Sequence, residues 1–210
     1  MEFFNFPLEI RLQIYNSLLI YHDTIIFRAC GGSLLPPLYL PQDHDLHPAL
    51  LRLNKHIYNE ASPSLYSHNR FQFPDILTPG PWTYSARIHP FLDQIGHHVA
   101  LLRHICISFH VFQSLEEESA CAHGRNLDLI GELCTGLATL ELCLPADGVD
   151  VEPISEQNLD LLDARLKVMP SPVEVRVVFQ VYSGGALADE RVKLRERGWT
   201  VAVNVLPKKT

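Results

Sequence analysis

The chain has 210 residues, 47% hydrophobic and 20% charged, the balance of an ordinary globular protein of one domain or two small ones sharing a core. A net charge of −7 with no Lys/Arg cluster disfavours nucleic acid as a partner, because phosphate binding draws most of its affinity from concentrated positive charge. Five cysteines at irregular spacings, with no CxxC pair, exclude a secreted disulfide framework and predict reduced thiols in an intracellular protein, cytoplasmic or nuclear.

A chain of this size can bury about 70% of its unfolded surface and needs no metal or disulfide to fold. Its start, Met1-Glu2-Phe3-Phe4, has no basic region or unbroken apolar stretch, so no signal peptide is expected. No run of about 18 apolar residues occurs, and a soluble protein without a membrane role is predicted.

Phe6 to Ile20 reads as the first helix, with Leu8, Ile10, Ile14, Tyr15, Leu18 and Leu19 on one wide apolar face. Pro7 falls near its first turn, where a missing N–H costs nothing. Glu9 sits at the positive end of the helix dipole. Thr24 to Arg28 is a short β-branched run, followed by Gly31-Gly32. Pro36-Pro37 then limits Leu34 to Leu40 to an edge strand at most. Ala49 to Tyr66 is the second helical stretch, its stripe formed by Leu50, Leu51, Leu53, Ile57, Tyr58 and Ala61, with Glu60 on the outside. Pro63 is expected to kink or divide it. Phe71-Gln72-Phe73 alternates like a short strand, and residues 74–88 read as a proline-rich linker.

Beyond the linker the pattern changes. Alternating runs centred on Ile107, Leu142, Val177 and Val203 predict four strands. A helical stretch precedes each: His89 to Leu102, Asn126 to Cys134, Glu156 to Val168, and Leu187 to Arg197 with Gly198 as its C-terminal stop. Helix-then-strand alternation implies parallel strands joined by crossovers. The near-regular period suggests a short solenoid of the leucine-rich type, whose usual repeat is about 20–29 residues, or a compact open α/β sheet. The expected fold is thus α+β or α/β: a helical module over residues 1–73, a linker over 74–88, and a four-unit α/β repeat region over 89–210.

At the two N-terminal helices the sequence resembles a known family. Phe6-Pro7-Leu8-Glu9-Ile10, followed by Ile14-Tyr15 and Leu18-Leu19, is similar to the opening of an F-box. Pro48-Ala49-Leu50-Leu51-Arg52-Leu53-Asn54-Lys55 through Asn59-Glu60-Ala61 and Leu65-Tyr66-Ser67 is similar to the second half of F-box-like proteins of ascomycete fungi. Phe91-Leu92, Ile95-Gly96 and Leu102-Arg103-His104-Ile105 extend the resemblance to about residue 110. Phe6 stands where the family has leucine, and residues 21–48 separate two helices that the family runs together. The resemblance implies docking to the Skp-type adaptor of a cullin–RING ubiquitin ligase through Pro7, Leu8, Glu9, Ile10, Ile14 and Leu18. The C-terminal repeats would then present a protein substrate. From the residues alone, most of these apolar side chains are expected to pack against Leu50, Leu53 and Ile57, with Pro7 and Leu8 the most exposed.

Motifs for chemistry are weak. Among eleven histidines, His98, His104 and His110 are spaced too widely for a zinc knuckle, and Cys121 and His123 too tightly, so no metal is expected. No Gly-x-Ser-x-Gly elbow surrounds Ser33, and neither Gly31-Gly32 nor Gly184-Gly185 has a phosphate-loop context. Glu116-Glu117-Glu118 reads as a solvated loop, and Trp82 and Tyr84 as linker anchors. Cys106 is the best thiol candidate, sharing one strand face with His104, Ser108 and His110, though a buried structural cysteine is the commoner case. The ranking is a substrate-recruiting F-box-like adaptor first, then a non-catalytic interaction or structural protein whose first helices cap the repeats. An enzyme using the Cys106 face comes third. Without a catalytic signature, a non-enzyme that needs no cofactor is expected.

Overall fold

The computed structural model describes residues 3–28, 38–39, 46–73, 88–108, 127–146, 156–169, 173–181 and 188–205. Helix α1 (Leu8–Leu19) leads to strand β1 (Thr24–Arg28), and β2 (Leu38–Tyr39) follows. A 3-10 turn (Pro48–Arg52) precedes α2 (Lys55–His68) and β3 (Arg70–Phe73). Helix α3 (His89–Ile95) continues as a 3-10 turn (Gly96–Leu101) into β4 (His104–Ser108). Helix α4 (127–133) leads to β5 (Thr139–Ala146), α5 (Glu156–Lys167) to β6 (Glu174–Val181), and α6 (Ala188–Glu196) to β7 (Thr200–Val205).

The seven strands form one sheet in the order β2-β1-β3-β4-β5-β6-β7. All neighbours from β1 to β7 pair in parallel, and β2 joins β1 antiparallel at the edge. The mixed α/β architecture with a parallel sheet therefore stands. Its helix–strand alternation reaches back to residue 8: α1–β1 and α2–β3 are units of the same sheet as β4 to β7. The parallel strands follow chain order, so right-handed crossovers put the described connecting helices on one face. The packing agrees. One large core runs from Tyr15 to Trp199 and joins helix residues to inward strand residues such as Phe73, Ile107, Leu142 and Phe179. A second, small cluster of Cys106, Cys143 and Val178 contains strand residues only.

Three local readings change. The second helix breaks at Leu53-Asn54, where the Asn54 carboxamide oxygen accepts the Ile57 N–H at 2.9 Å as an N-cap. It runs unbroken through Pro63, which lies on the solvent side, so the Asn59 carbonyl it leaves unbonded can be hydrated. The register pairs Val177 with Val201, not Val203, so the last strand marker moves by one inward position.

Loop chemistry fixes two joints. Helix α6 ends in a Schellman motif: Trp199 N–H reaches the Leu194 carbonyl and Gly198 N–H the Arg195 carbonyl, with Gly198 at φ 83°. At Gly136 a Cβ would stand 2.2 Å from the Ala100 carbonyl oxygen, so only glycine fits this approach to the turn before β4.

Candidate functional site

Two features can carry function, and the first is α1. Its inward face is set by Tyr15 and Leu19, both fully buried. Its rotation is locked by a polar clasp to α2. Arg11 Nε donates to Glu60 Oε2 at 3.0 Å, the Tyr15 hydroxyl donates to the same oxygen at 3.0 Å, and Arg11 Nη1 donates to the Phe6 carbonyl at 2.7 Å. The Arg11 hydrogen bond holds the Glu60 carboxyl below its ordinary range. Asn69, at the end of α2, ties both helix ends together: its Nδ2 donates to the Leu19 and Leu65 carbonyls at 2.7 and 2.8 Å, and its Oδ1 accepts the Tyr21 N–H at 2.7 Å.

With the rotation fixed this way, Pro7, Ile10, Ile14 and Leu18 fall on a flank beside the buried face, following the helical spacing. Pro7, Leu8, Glu9 and Ile10 are exposed, and Ile14 and Leu18 are half-buried. Leu8 is 46% and Ile10 39% accessible. Leu8 is exposed as expected and Leu18 packs against the core; the expectation of core packing is corrected for Ile10, because Tyr15 and Leu19 take that role. Leu53, expected on the α2 stripe, is also exposed, since it stands between the 3-10 turn and α2. Sequence reading placed Glu60 outside and missed the clasp; its only trace was the charge complementarity of Arg11 and Glu60.

The second feature lies on the sheet face opposite the described helices. On β4, His104 and Cys106 point to the same side; on β5, Glu141 and Cys143 do likewise, with Glu141 directly opposite Cys106. Arg70 of β3 reaches across, its Nη2 donating to both Glu141 oxygens at 2.9 Å. The Cys106 and Cys143 sulfurs are 2.9 Å apart, Cys143 Sγ is 3.5 Å from Glu141 Oε1, and His104 Nε2 is 3.5 Å from Glu141 Oε2. Cys106, Glu141 and Cys143 are all buried. Burial alone would raise the Glu141 carboxyl, but His104 and the Arg70 guanidinium hold it below its usual range. The Cys143 contact and burial push the Cys106 thiol up, opposite to an activated nucleophile.

Strand alternation alone groups His104, Cys106, Ser108 and His110. The register adds Glu141, Cys143 and Arg70, which no spacing rule connects to Cys106. His110, Cys30, Cys121, His123, Ser33, the two Gly-Gly pairs, Pro36-Pro37, Glu116 to Glu118, Trp82 and Tyr84 lie outside the described residues, as does 74–87 of the linker.

The described residues define a protein built on one parallel sheet with its helices on one face. No family model, curated protein or solved structure matches the chain. Among the described residues, no helix is long and apolar enough to cross a membrane.

Proposed function

We propose that this protein is a non-enzymatic, intracellular F-box-like adaptor that docks a Skp-type protein through α1 and presents a protein substrate to a cullin–RING ubiquitin ligase on its C-terminal units. The observation that carries this reading is the exposure of Pro7, Leu8, Glu9 and Ile10, with half-buried Ile14 beside them. A pure capping helix would bury Pro7, Leu8 and Ile14, whereas an apolar flank left open is what helix-in-groove recognition requires. Single exposed apolar residues are ordinary; a cluster of them at the motif positions is the more specific signal.

A second reading is favoured by the way α1–β1 and α2–β3 are built into the sheet: a non-catalytic interaction protein whose first helices cap the repeats, with no ligase association. Co-purification with a fungal Skp-type adaptor, wild type beside Pro7→Ala/Leu8→Ala, separates the two. The adaptor reading expects a stable complex that the double variant loses while its melting temperature stays close to wild type, because exposed side chains contribute little to stability. A folded wild-type chain that forms no complex supports the capping reading instead.

A further inference from the structure

The thiol–carboxylate cluster on the sheet face away from the described helices has no part in the adaptor reading. Its composition is unusual for a sheet interior: two cysteines, a glutamate and a histidine converge from two adjacent strands, and an arginine closes on the glutamate. One donor atom each from Cys106, Glu141 and Cys143 lies within 4.8 Å of the others. The sulfurs, 2.9 Å apart, are closer than the roughly 3.5–4.0 Å at which even unbonded carbon atoms rest. His104 Nε2 is buried without a hydrogen-bond partner, and Glu141 Oε2 stands 3.5 Å off, beyond a good hydrogen bond. Buried polar atoms ordinarily find partners, so this nitrogen calls for one.

We propose that Cys106, Glu141 and Cys143, with His104 turned inward as the fourth ligand, bind one divalent cation of the zinc class, clamping β4 to β5. Four observations favour it together. The donor set, two thiolates with an imidazole and a carboxylate, suits zinc rather than magnesium or calcium, which take oxygen alone. The geometry is near what a tetrahedral ion needs. Bonds of about 2.0–2.3 Å place neighbouring donors roughly 3.5 Å apart; Cys143 Sγ and Glu141 Oε1 already stand at 3.5 Å, while His104 Nε2, 3.5 Å from the other Glu141 oxygen, must swing inward to join them. The sulfur pair must open by less than about 1 Å. The charges also balance. Two thiolates and Glu141 carry three negative charges, and the cation with Arg70 carries three positive ones, so a buried neutral site results. Arg70 then serves as the outer partner that orients the ligating carboxylate.

Loading the site releases the two thiol protons to solvent as both sulfur–metal bonds form, with no change of oxidation state. Binding therefore weakens as pH falls. Four protein ligands leave no open position, so the ion is structural. The site is remote in sequence from the α1 flank, and either reading can fail alone.

The test is a cobalt(II) titration of the full chain, reduced and stripped of metal. The expected result is one equivalent per chain, with thiolate-to-cobalt charge transfer in the near ultraviolet, the intense visible bands of tetrahedral cobalt, and displacement by zinc. Cys106→Ser and Cys143→Ser each lose the charge-transfer band. Cys134→Ser, at a buried thiol on the helix side whose pKa burial pushes to about 12, retains it. His104→Gln, at a half-buried position, keeps the fold if a cysteine variant does not, and weakens binding at least about tenfold. A wild-type chain whose thiols react freely but which gives no such spectrum overturns the site. So does a spectrum that survives Cys106→Ser, or a Cys106–Cys143 disulfide that forms in preference to the metal complex under mild reductant.

Discussion

The N-terminal pair of units and the C-terminal units attach their helices to the same sheet in different ways. Between α1 and α2 the joint is polar and largely shielded: Arg11, Tyr15 and Glu60 form one clasp, and buried Asn69 forms another. Around α5 and α6 the inward contacts are apolar, through Leu159, Leu162, Leu194 and Trp199, and the ion pairs Arg197–Asp160 and Arg165–Asp128 lie toward solvent. Apolar contacts tolerate small rotations of a helix; a three-way hydrogen-bonded clasp does not, because its geometry is directional. The difference explains how α1 can hold Ile10 in solvent: its rotation is set by hydrogen bonds, not by maximal burial of every apolar residue, whereas Leu8 shares the Tyr15 face and is exposed because it begins the helix.

This contrast can be broken at either end. Leu194→Ala removes a fully buried side chain next to the Schellman joint and is expected to cost about 4 kcal/mol in urea unfolding, the largest effect here. A loss well under half of that would mean the C-terminal joint does not depend on apolar packing. Asn69→Ala withdraws one side chain from three hydrogen bonds and should cost about 3 kcal/mol. It should also speed hydrogen exchange at the end of α1, which Leu194→Ala leaves unchanged. If exchange there is the same in both variants, the clasp does not set α1.

The smallest effect sharpens the comparison through pH. The Glu60 carboxyl is held below its ordinary value in the folded chain, so the unfolded state binds more protons in acid. Its contribution is fully present above the unfolded carboxylate pKa of about 4.3 and is lost as pH falls through the folded value. Wild type should lose stability across that window, and Glu60→Gln, which lacks that contribution at every pH, should show a shallower slope there, so that the two chains differ most near neutrality and converge in acid. Equal slopes for both chains would remove the carboxylate from the joint.

The helices and strands were largely legible because their signals are local. The spacing of Leu159 and Leu162, the alternation of Val173 to Val181, and Gly198 after a helical run are each written within a few residues. The edge position of β2 followed from Pro36-Pro37 nearby. The face of β4 carrying His104 and Cys106 was legible too, since a strand's period of two needs no partner to be read.

What the chain fixed by itself is therefore the order of elements and which side chains share a face. Two things were decided only in three dimensions. The first is the rotation of α1, which depends on a hydrogen bond between Arg11 and Glu60 across 49 positions. The second is the strand register that brings Cys143 to Cys106 across 37 positions and Arg70 to Glu141 across 71. Local periodicity says which way a residue points. It does not say which distant residue waits there, because register is settled by the joint packing of whole strands and helices, not by any one segment.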